Sequence, residues 1–255
     1  MTRHNIYALK YAGPFTSSGA FLMWLKNWDK TVKRNYYFWV ITGDHAPVVV
    51  DAGVSPELAA ERALGGYVSP ADMLKRMGLE AEEIRHVILT HLHWDHASGI
   101  ALFPNAAVYI QEREYRFWLE DPIAKRPPFR HVSDEVSLTY LKRLKEAGNL
   151  RLLNGDAEIL PGITCLLAPG HSVGLQAVAV ETAEGTAILG SDCAHVFKNY
   201  TEDWPSSLIT DLVAWMKSYD KLKNYASLPN LLFPGHDVAL NEKYPFVAED
   251  ITKLA

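Results

Sequence analysis

An α/β fold with helices outside two packed β-sheets is predicted by three features of the sequence. Strand-length runs of β-branched and aromatic residues come in two blocks, one early and one from Leu150 onward, and each is followed by stretches of helical periodicity. No low-complexity linker separates the blocks, so residues 1–255 are expected to form one domain. Four apolar strands also stop abruptly at turns that carry His or Asp, which concentrates reactive side chains along a sheet edge.

The alternating segment Asn5–Tyr11 predicts the first strand, and Tyr36–Thr42 and Val48–Val50 extend an opening antiparallel sheet. Residues 17–35 between the first two strands hold Phe21, Leu22, Met23, Trp24, Leu25 and Trp28 among basic residues, too long and too aromatic for a simple hairpin turn. Two readings stand. The segment packs into the core or against another subunit, or it forms an apolar flap whose Phe21, Met23, Trp24 and Trp28 line a substrate pocket. The third strand ends at Asp51-Ala52-Gly53, where Asp51 is either a turn former or a hydrogen-bonding partner behind metal ligands.

Ser69-Pro70-Ala71-Asp72 supplies a cap, a proline for the first helical position and an early acid, and Gly78 stops the short helix they begin. The strand Arg85–Thr90 follows, then the strand Val108–Ile110 and a helix over Glu112–Leu119. Pro122, Pro127 and Pro128 mark a loop, and Ser133–Ala147 reads as an amphipathic helix closed by Gly148. Strands are predicted at Leu150–Leu153, Ile163–Leu167, Leu175–Val180 and Thr186–Leu189, a helix at Thr210–Tyr225, and a last strand at Asn230–Phe233.

A chain of 255 residues, 48% hydrophobic and 22% charged, can bury a full core. Its net charge of −5 argues against a nucleic-acid partner, and the pair Lys33-Arg34 is read as solvated surface. Cys165 and Cys193 cannot build a disulfide framework, and Met1-Thr2-Arg3-His4-Asn5 opens no apolar signal-peptide core, so a cytoplasmic setting is expected. No run approaches the ~20 apolar residues of a membrane-spanning helix, so no membrane association is expected.

The chemistry centres on Thr90-His91-Leu92-His93-Trp94-Asp95-His96, directly after the apolar Val87-Ile88-Leu89. Neutral imidazole and carboxylate are the ligand set of zinc and similar divalent cations. The same device recurs where Leu166-Leu167-Ala168-Pro169-Gly170 ends on His171, Ala187-Ile188-Leu189-Gly190-Ser191 on Asp192, and Leu231-Leu232-Phe233-Pro234-Gly235 on His236. Glycine and proline at a strand's end turn the backbone sharply, so the next side chain projects from the rim of the sheet.

His91-Leu92-His93-Trp94-Asp95-His96 resembles the HxHxDH signature of the metallo-β-lactamase superfamily, and His171, Asp192 and His236 follow in the order and approximate spacing of its other ligands. The resemblance runs from Asp51-Ala52-Gly53 to Pro234-Gly235-His236-Asp237. It implies an αββα sandwich, two mixed β-sheets flanked by helices, with the metals at one edge. It also implies that His91, His93 and His171 hold one zinc, that Asp95, His96 and His236 hold a second, and that Asp192 bridges them. Two Zn2+ per chain agree with the count of ligand-type residues, which exceeds what one tetrahedral zinc accepts. A bridging hydroxide is then the nucleophile, since zinc lowers the pKa of bound water to about 7.

Within the superfamily, His93 stands where glutamate suits the iron-binding flavin-linked members, which favours hydrolysis. Cys193, one residue past the position a cysteine ligand would need, is read as a packing residue, and the absence of a basic exosite disfavours RNA processing. Ala168-Pro169-Gly170-His171-Ser172-Val173-Gly174, Gly190-Ser191-Asp192 and Gly235-His236-Asp237 are most similar to the N-acyl-homoserine lactonase group. One departure stands out: those lactonases commonly carry tyrosine three positions after the bridging aspartate, where this chain has His195, with Tyr200 a less well placed substitute.

The resemblance implies a lactone substrate whose carbonyl oxygen sits on the zinc of His91, His93 and His171 while the bridging hydroxide attacks. Asp192 carries the proton to the leaving oxygen, and His195 or the second zinc stabilises the alkoxide, which makes Asp95, Asp192 and His195 the catalytic candidates. A homodimer is the assembly it implies. The competing readings are a zinc hydrolase of another lactone or of a thioester, in the manner of glyoxalase II, and a mononuclear iron persulfide dioxygenase. Lys243 and Lys253 make a poor basic patch for a glutathione thioester. Retention of every ligand argues against a binding module without activity.

Overall fold

The computed structural model describes residues 3–255; Met1 and Thr2, with which the opening run of the sequence begins, lie outside the described residues. Two mixed sheets face each other. The first is built from β1 (Asn5–Ser18), β2 (Thr31–Thr42), β3 (Val48–Val50), β4 (His86–Ile88), β5 (Ala107–Gln111) and β6 (Leu150–Leu153). The second holds β7 (Ala157–Leu160), β8 (Ile163–Leu167), β9 (Gln176–Thr182), β10 (Gly185–Ser191) and β11 (Leu232–Pro234). The chain then returns to the first sheet with β12 (Phe246–Ala248) and β13 (Ile251–Lys253), giving the orders β12-β13-β1-β2-β3-β4-β5-β6 and β11-β10-β9-β8-β7.

The side-chain period of two sorts each strand between layers. In β2, Tyr37, Trp39 and Ile41 point between the sheets, where they meet Ile163, Val178, Val180, Leu189 and Phe233. Phe38 and Val40 point outward with Val49, Val87 and Val108, under Met73, Leu74, Trp118, Leu138 and Leu141 of the covering helices. On the far side, Trp215, Tyr219 and Leu222 of the helix Leu212–Tyr225 close over Leu166, Ala177, Ala179 and Ile188. The result is four layers, helix, sheet, sheet, helix. Truncating a fully buried ring such as Trp39 to Ala would cost about 3–5 kcal/mol.

Strand direction gathers the ligand-bearing ends. β3 and β4 run parallel with Val50 opposite Ile88, and β10 and β11 run parallel with Ile188 opposite Leu232. β9 pairs antiparallel with both β8 and β10, so β8 shares the direction of β10 and β11.

Several elements differ from the sequence reading. β1 does not stop at Tyr11 but runs to Ser18, pairing with β2 as far as Ser18 opposite Thr31. Residues 17–35 are therefore mostly the tip of a two-stranded arm, with one helical turn at Gly19–Leu22, rather than a long insertion. Pairing satisfies the backbone there, although the tip itself is half exposed. The edge strands β7 and β12 and the short helix Pro56–Glu61 carry too few buried apolar residues to announce themselves. Among the described residues, no helix is long and apolar enough to cross a membrane.

Candidate metal centre

The four strand-end turns converge. His91, His93, His171 and Asp192 bring ligand atoms within 4.8 Å of one another, and Asp95, His96 and His236 form an adjoining group by the same measure. Asp192 stands between the groups with its two oxygens divided. Oδ2 lies 3.3 Å from His171 Nε2 and 3.9 Å from His91 Nε2, while Oδ1 lies 2.9 Å from His236 Nε2 and 3.3 Å from His96 Nε2. Asp95 Oδ2 completes the second group at 3.7 Å from His236 Nε2 and 3.8 Å from His96 Nε2.

The outer partners of the imidazoles fix which nitrogen faces inward. His171 Nδ1 lies 3.1 Å from the Leu208 carbonyl and His236 Nδ1 lies 2.9 Å from the Asn35 carbonyl. A carbonyl only accepts, so each Nδ1 carries the proton and each Nε2 offers a lone pair to the cluster. His96 Nδ1 donates in the same way to Asp51 Oδ2 at 2.7 Å. His93 is the exception, since its Nδ1 is the nitrogen aimed inward, 2.9 Å from His171 Nε2.

Asp51 thus holds an imidazole of the cluster as well as being a turn residue, with φ of 61° at the end of β3. Its Oδ1 accepts from the Thr90 N–H at 2.7 Å and the Thr90 hydroxyl at 2.8 Å, and its Oδ2 also accepts from the Ser191 hydroxyl at 3.2 Å. One buried carboxylate therefore ties β3 to the turns that carry His91 and Asp192. Close backbone approach explains two glycines. A Cβ at Gly170 would fall 2.2 Å from Trp215 Cβ, and one at Gly235 would fall 2.5 Å from Asp192 Oδ1.

The donor set fits divalent cations. His91 Nε2, His96 Nε2 and Asp192 Oδ1 are buried with no hydrogen-bond partner, an expensive arrangement for polar atoms unless an ion satisfies them. Burial, reinforced by neighbouring imidazoles, holds the His91 and His93 imidazoles well below the ordinary histidine range and so neutral, as ligands must be. Burial opposes the charge on Asp192, yet His195, His236 and His96 outweigh it and keep this carboxyl well below its usual range. For His96 burial is again the largest influence, but Asp192, Asp51 and Asp95 together reverse it and push this imidazole up.

His195 joins the cluster, with Nε2 3.3 Å from Asp192 Oδ2 and its ring edge-on to Phe21 at 6.1 Å. Tyr200 does not: its ring packs against Tyr219 behind the site, and its hydroxyl sits beside Gly190. A cavity of about 200 Å³ opens over His93, Asp95, Asp192, His195 and His236. Of the four aromatic and methionine candidates, only Phe21 lines it. Met23 is buried with its sulfur 3.3 Å from Asn199 Nδ2, Trp24 is pinned through backbone bonds to Pro205 and Trp204, and Trp28 is 72% exposed. The arm geometry carries these three past the cavity instead of over it. A larger hollow of about 360 Å³ beside Ser98, Tyr140 and Arg143 holds none of the metal-ligand candidates.

Sequence reasoning missed Glu114 and misjudged Arg34. Glu114, fully buried, accepts from the Leu92 N–H at 3.1 Å, Trp118 Nε1 at 2.7 Å, the Ser172 hydroxyl at 2.6 Å and the Gly174 N–H at 2.7 Å. It joins the turn between His91 and His93 to the turn after His171. A glutamate in the first turn of a surface helix normally reads as solvated, so only the tertiary contacts reveal it. Arg34, expected at the surface, lines the cavity together with Arg62.

Comparison with known proteins agrees with this geometry. An N-acyl homoserine lactonase of Bacillus thuringiensis is 27% identical over 226 residues, 82% of this chain and 84% of its own length. The N-acyl homoserine lactonase AttM of Azorhizobium caulinodans is 24% identical over 217 residues, 78% of this chain and 81% of its own. A solved N-acyl homoserine lactone hydrolase, with the product N-hexanoyl-L-homoserine at its catalytic metal center, shares the fold at a TM-score of 0.79 and 23% identity, covering 97% of this chain and 98% of that one. Residues 33–236 match the Metallo-beta-lactamase superfamily. That span runs from the arm before Asn35 to His236 and takes in all the cluster residues, and the chain belongs to this superfamily.

Proposed function

We propose that residues 1–255 act as one hydrolase domain that opens the ring of N-acyl homoserine lactones with two zinc ions. His91, His93 and His171 would hold one ion, Asp95, His96 and His236 the other, with Asp192 shared. The observation that carries the reading is the division of the Asp192 oxygens between the two histidine groups. The named activity of the curated relatives supports the substrate class. When bound, the ions supply positive charge against a developing oxyanion and lower the pKa of water.

The chain's own residues then divide the work. Asp192, held ionised, takes the proton of the attacking water and passes it to the ring oxygen as the C–O bond breaks. His195, whose Nε2 faces the same carboxylate, donates a hydrogen bond to the leaving oxygen in place of the tyrosine of related lactonases. Phe21, Val132 and Leu208 offer apolar wall to an acyl group. Buried free thiols at Cys165 and Cys193 suit the cytoplasmic setting we assign, and a homodimer is the assembly we expect.

A pH-indicator assay tests the reading: zinc-loaded protein against homoserine lactones of graded chain length, with a chromogenic β-lactam and a glutathione thioester alongside. Acid release from the lactones supports it. Full metal loading without lactone turnover overturns it.

A further inference from the structure

The cavity over the cluster carries two guanidinium groups for which a simple acyl-homoserine lactone offers carbonyl oxygens but no anionic partner. Arg34 reaches it from β2, its guanidinium 4.6 Å from the centre of the Tyr36 ring, and its Nε donates to Ser17 Oγ at 2.7 Å. Arg62, just past the helix Pro56–Glu61, lies over the Trp94 ring at 4.2 Å. Among the described residues neither arginine has a carboxylate within 4.0 Å, whereas Arg76 and Arg116 each have one. Asp95 and Asp192 line the same cavity, but their oxygens are turned to the imidazoles of the cluster.

Each arginine rests against an aromatic ring, and the terminal NH2 groups of Arg34 meet no protein carboxylate. A planar, pre-oriented guanidinium is the group that recognises a carboxylate through paired N–H donors. With cations bound at the cluster, the charges of Asp95 and Asp192 are used there, and the rest of the cavity is net positive. We infer that the substrate of this site is an anionic lactone, a cyclic ester that carries a carboxylate in addition to the bond that is cleaved, and that Arg34, with Arg62 at the rim, selects it. This rests on the lactonase reading and sharpens it. Arg34 also lies beside Phe21, the one cavity residue of the aromatic arm tip, so the carboxylate belongs on the part of the substrate remote from the ring.

The test compares matched lactones on the zinc-loaded enzyme: N-hexanoyl-homoserine lactone against its analogue ending in a carboxylate, N-adipoyl-homoserine lactone. The expected result is a kcat/KM about tenfold or more higher for the carboxylated member, carried mainly by KM and shrinking as salt is raised. Arg34→Gln should bring the two substrates to within about twofold of each other, and Arg34→Lys, which keeps the charge but not the fork, should retain part of the preference. Melting curves confirm that each variant is folded, and Arg62→Gln gives the same direction of change should Arg34→Gln unfold. Equal kcat/KM for the pair, or a preference that survives in both the Arg34→Gln and Arg62→Gln proteins, overturns the inference while the lactonase reading stands. Turnover of neither lactone overturns the lactonase reading and this inference with it.

Discussion

Replacing Glu114 with glutamine isolates how the two ligand-bearing turns are held together. All the partners of this buried carboxylate are donors, with the Leu92 N–H on Oε1 and the Gly174 N–H on Oε2. Glutamine keeps the shape but turns one oxygen into an NH2, so one of those two backbone N–H groups then faces a donor. A buried donor left unpaired costs about 1–3 kcal/mol, and in a domain of this size each kcal/mol lowers the melting temperature by about 2–4 °C. Because Leu92 lies between His91 and His93 and Ser172 follows His171, zinc affinity should also fall, by about 10- to 100-fold.

The pH dependence of the same variant has a definite sign. Burial, only partly offset by the hydrogen bonds, pushes the Glu114 carboxyl above the ordinary carboxylate range. A raised carboxyl in the folded state contributes stability that is fullest below its unfolded pKa and is lost as pH rises through the folded value. Glutamine does not titrate, so the stability gap between native protein and Glu114→Gln is widest at acid pH and narrows towards neutrality. Thermal unfolding by circular dichroism from acid to neutral pH, with a fluorescent-chelator competition for zinc, reads both effects. A melting temperature and zinc affinity unchanged at neutral pH, or a gap that widens as pH rises, would refute the reasoning.

Other substitutions probe the cluster itself. His195→Phe should lower kcat by about 100-fold or more with zinc content retained, as expected for loss of a positioned hydrogen-bond donor to the leaving oxygen; elemental analysis beside steady-state kinetics checks it, and unchanged kcat removes His195 from catalysis. Gly235→Ala would put a methyl 2.5 Å from Asp192 Oδ1 and 2.9 Å from the Ser191 carbonyl carbon, so the carboxylate must move. Stability should drop by about 1–3 kcal/mol, and zinc affinity should fall with it, measured by unfolding and chelator competition.

What the sequence made legible was local. His91 to His96 lie within one turn, so their ligand character needs no knowledge of the fold, and the Pro-Gly-His and Gly-Ser-Asp strand ends could be matched to them by their shared letters. Two packed sheets and most strands followed from strand-length apolar runs, because central strands such as Tyr36–Ile41 and Val48–Val50 are buried on both faces. Asp51 was left between two roles, and only its 2.7 Å contact with His96 Nδ1 showed that the turn residue also holds an imidazole of the cluster. Met23, Trp24 and Trp28 misled because aromatic content says nothing about direction: a paired arm aims Phe21 at the cavity and the other three elsewhere. Arg34 was hidden for the converse reason. It follows a lysine in an exposed stretch of β2, yet the strand alternation turns Lys33 outward and Arg34 inward, a distinction that depends on a register fixed only by the pairing with β1.

The most direct measurement is a zinc titration of the metal-free protein followed by lactone opening. The account predicts that activity climbs to a plateau at two ions per chain, and that elemental analysis at the plateau returns the same number. A plateau at one ion, or a purified protein holding about one iron and no zinc, would contradict a shared Asp192 between two metal-binding groups.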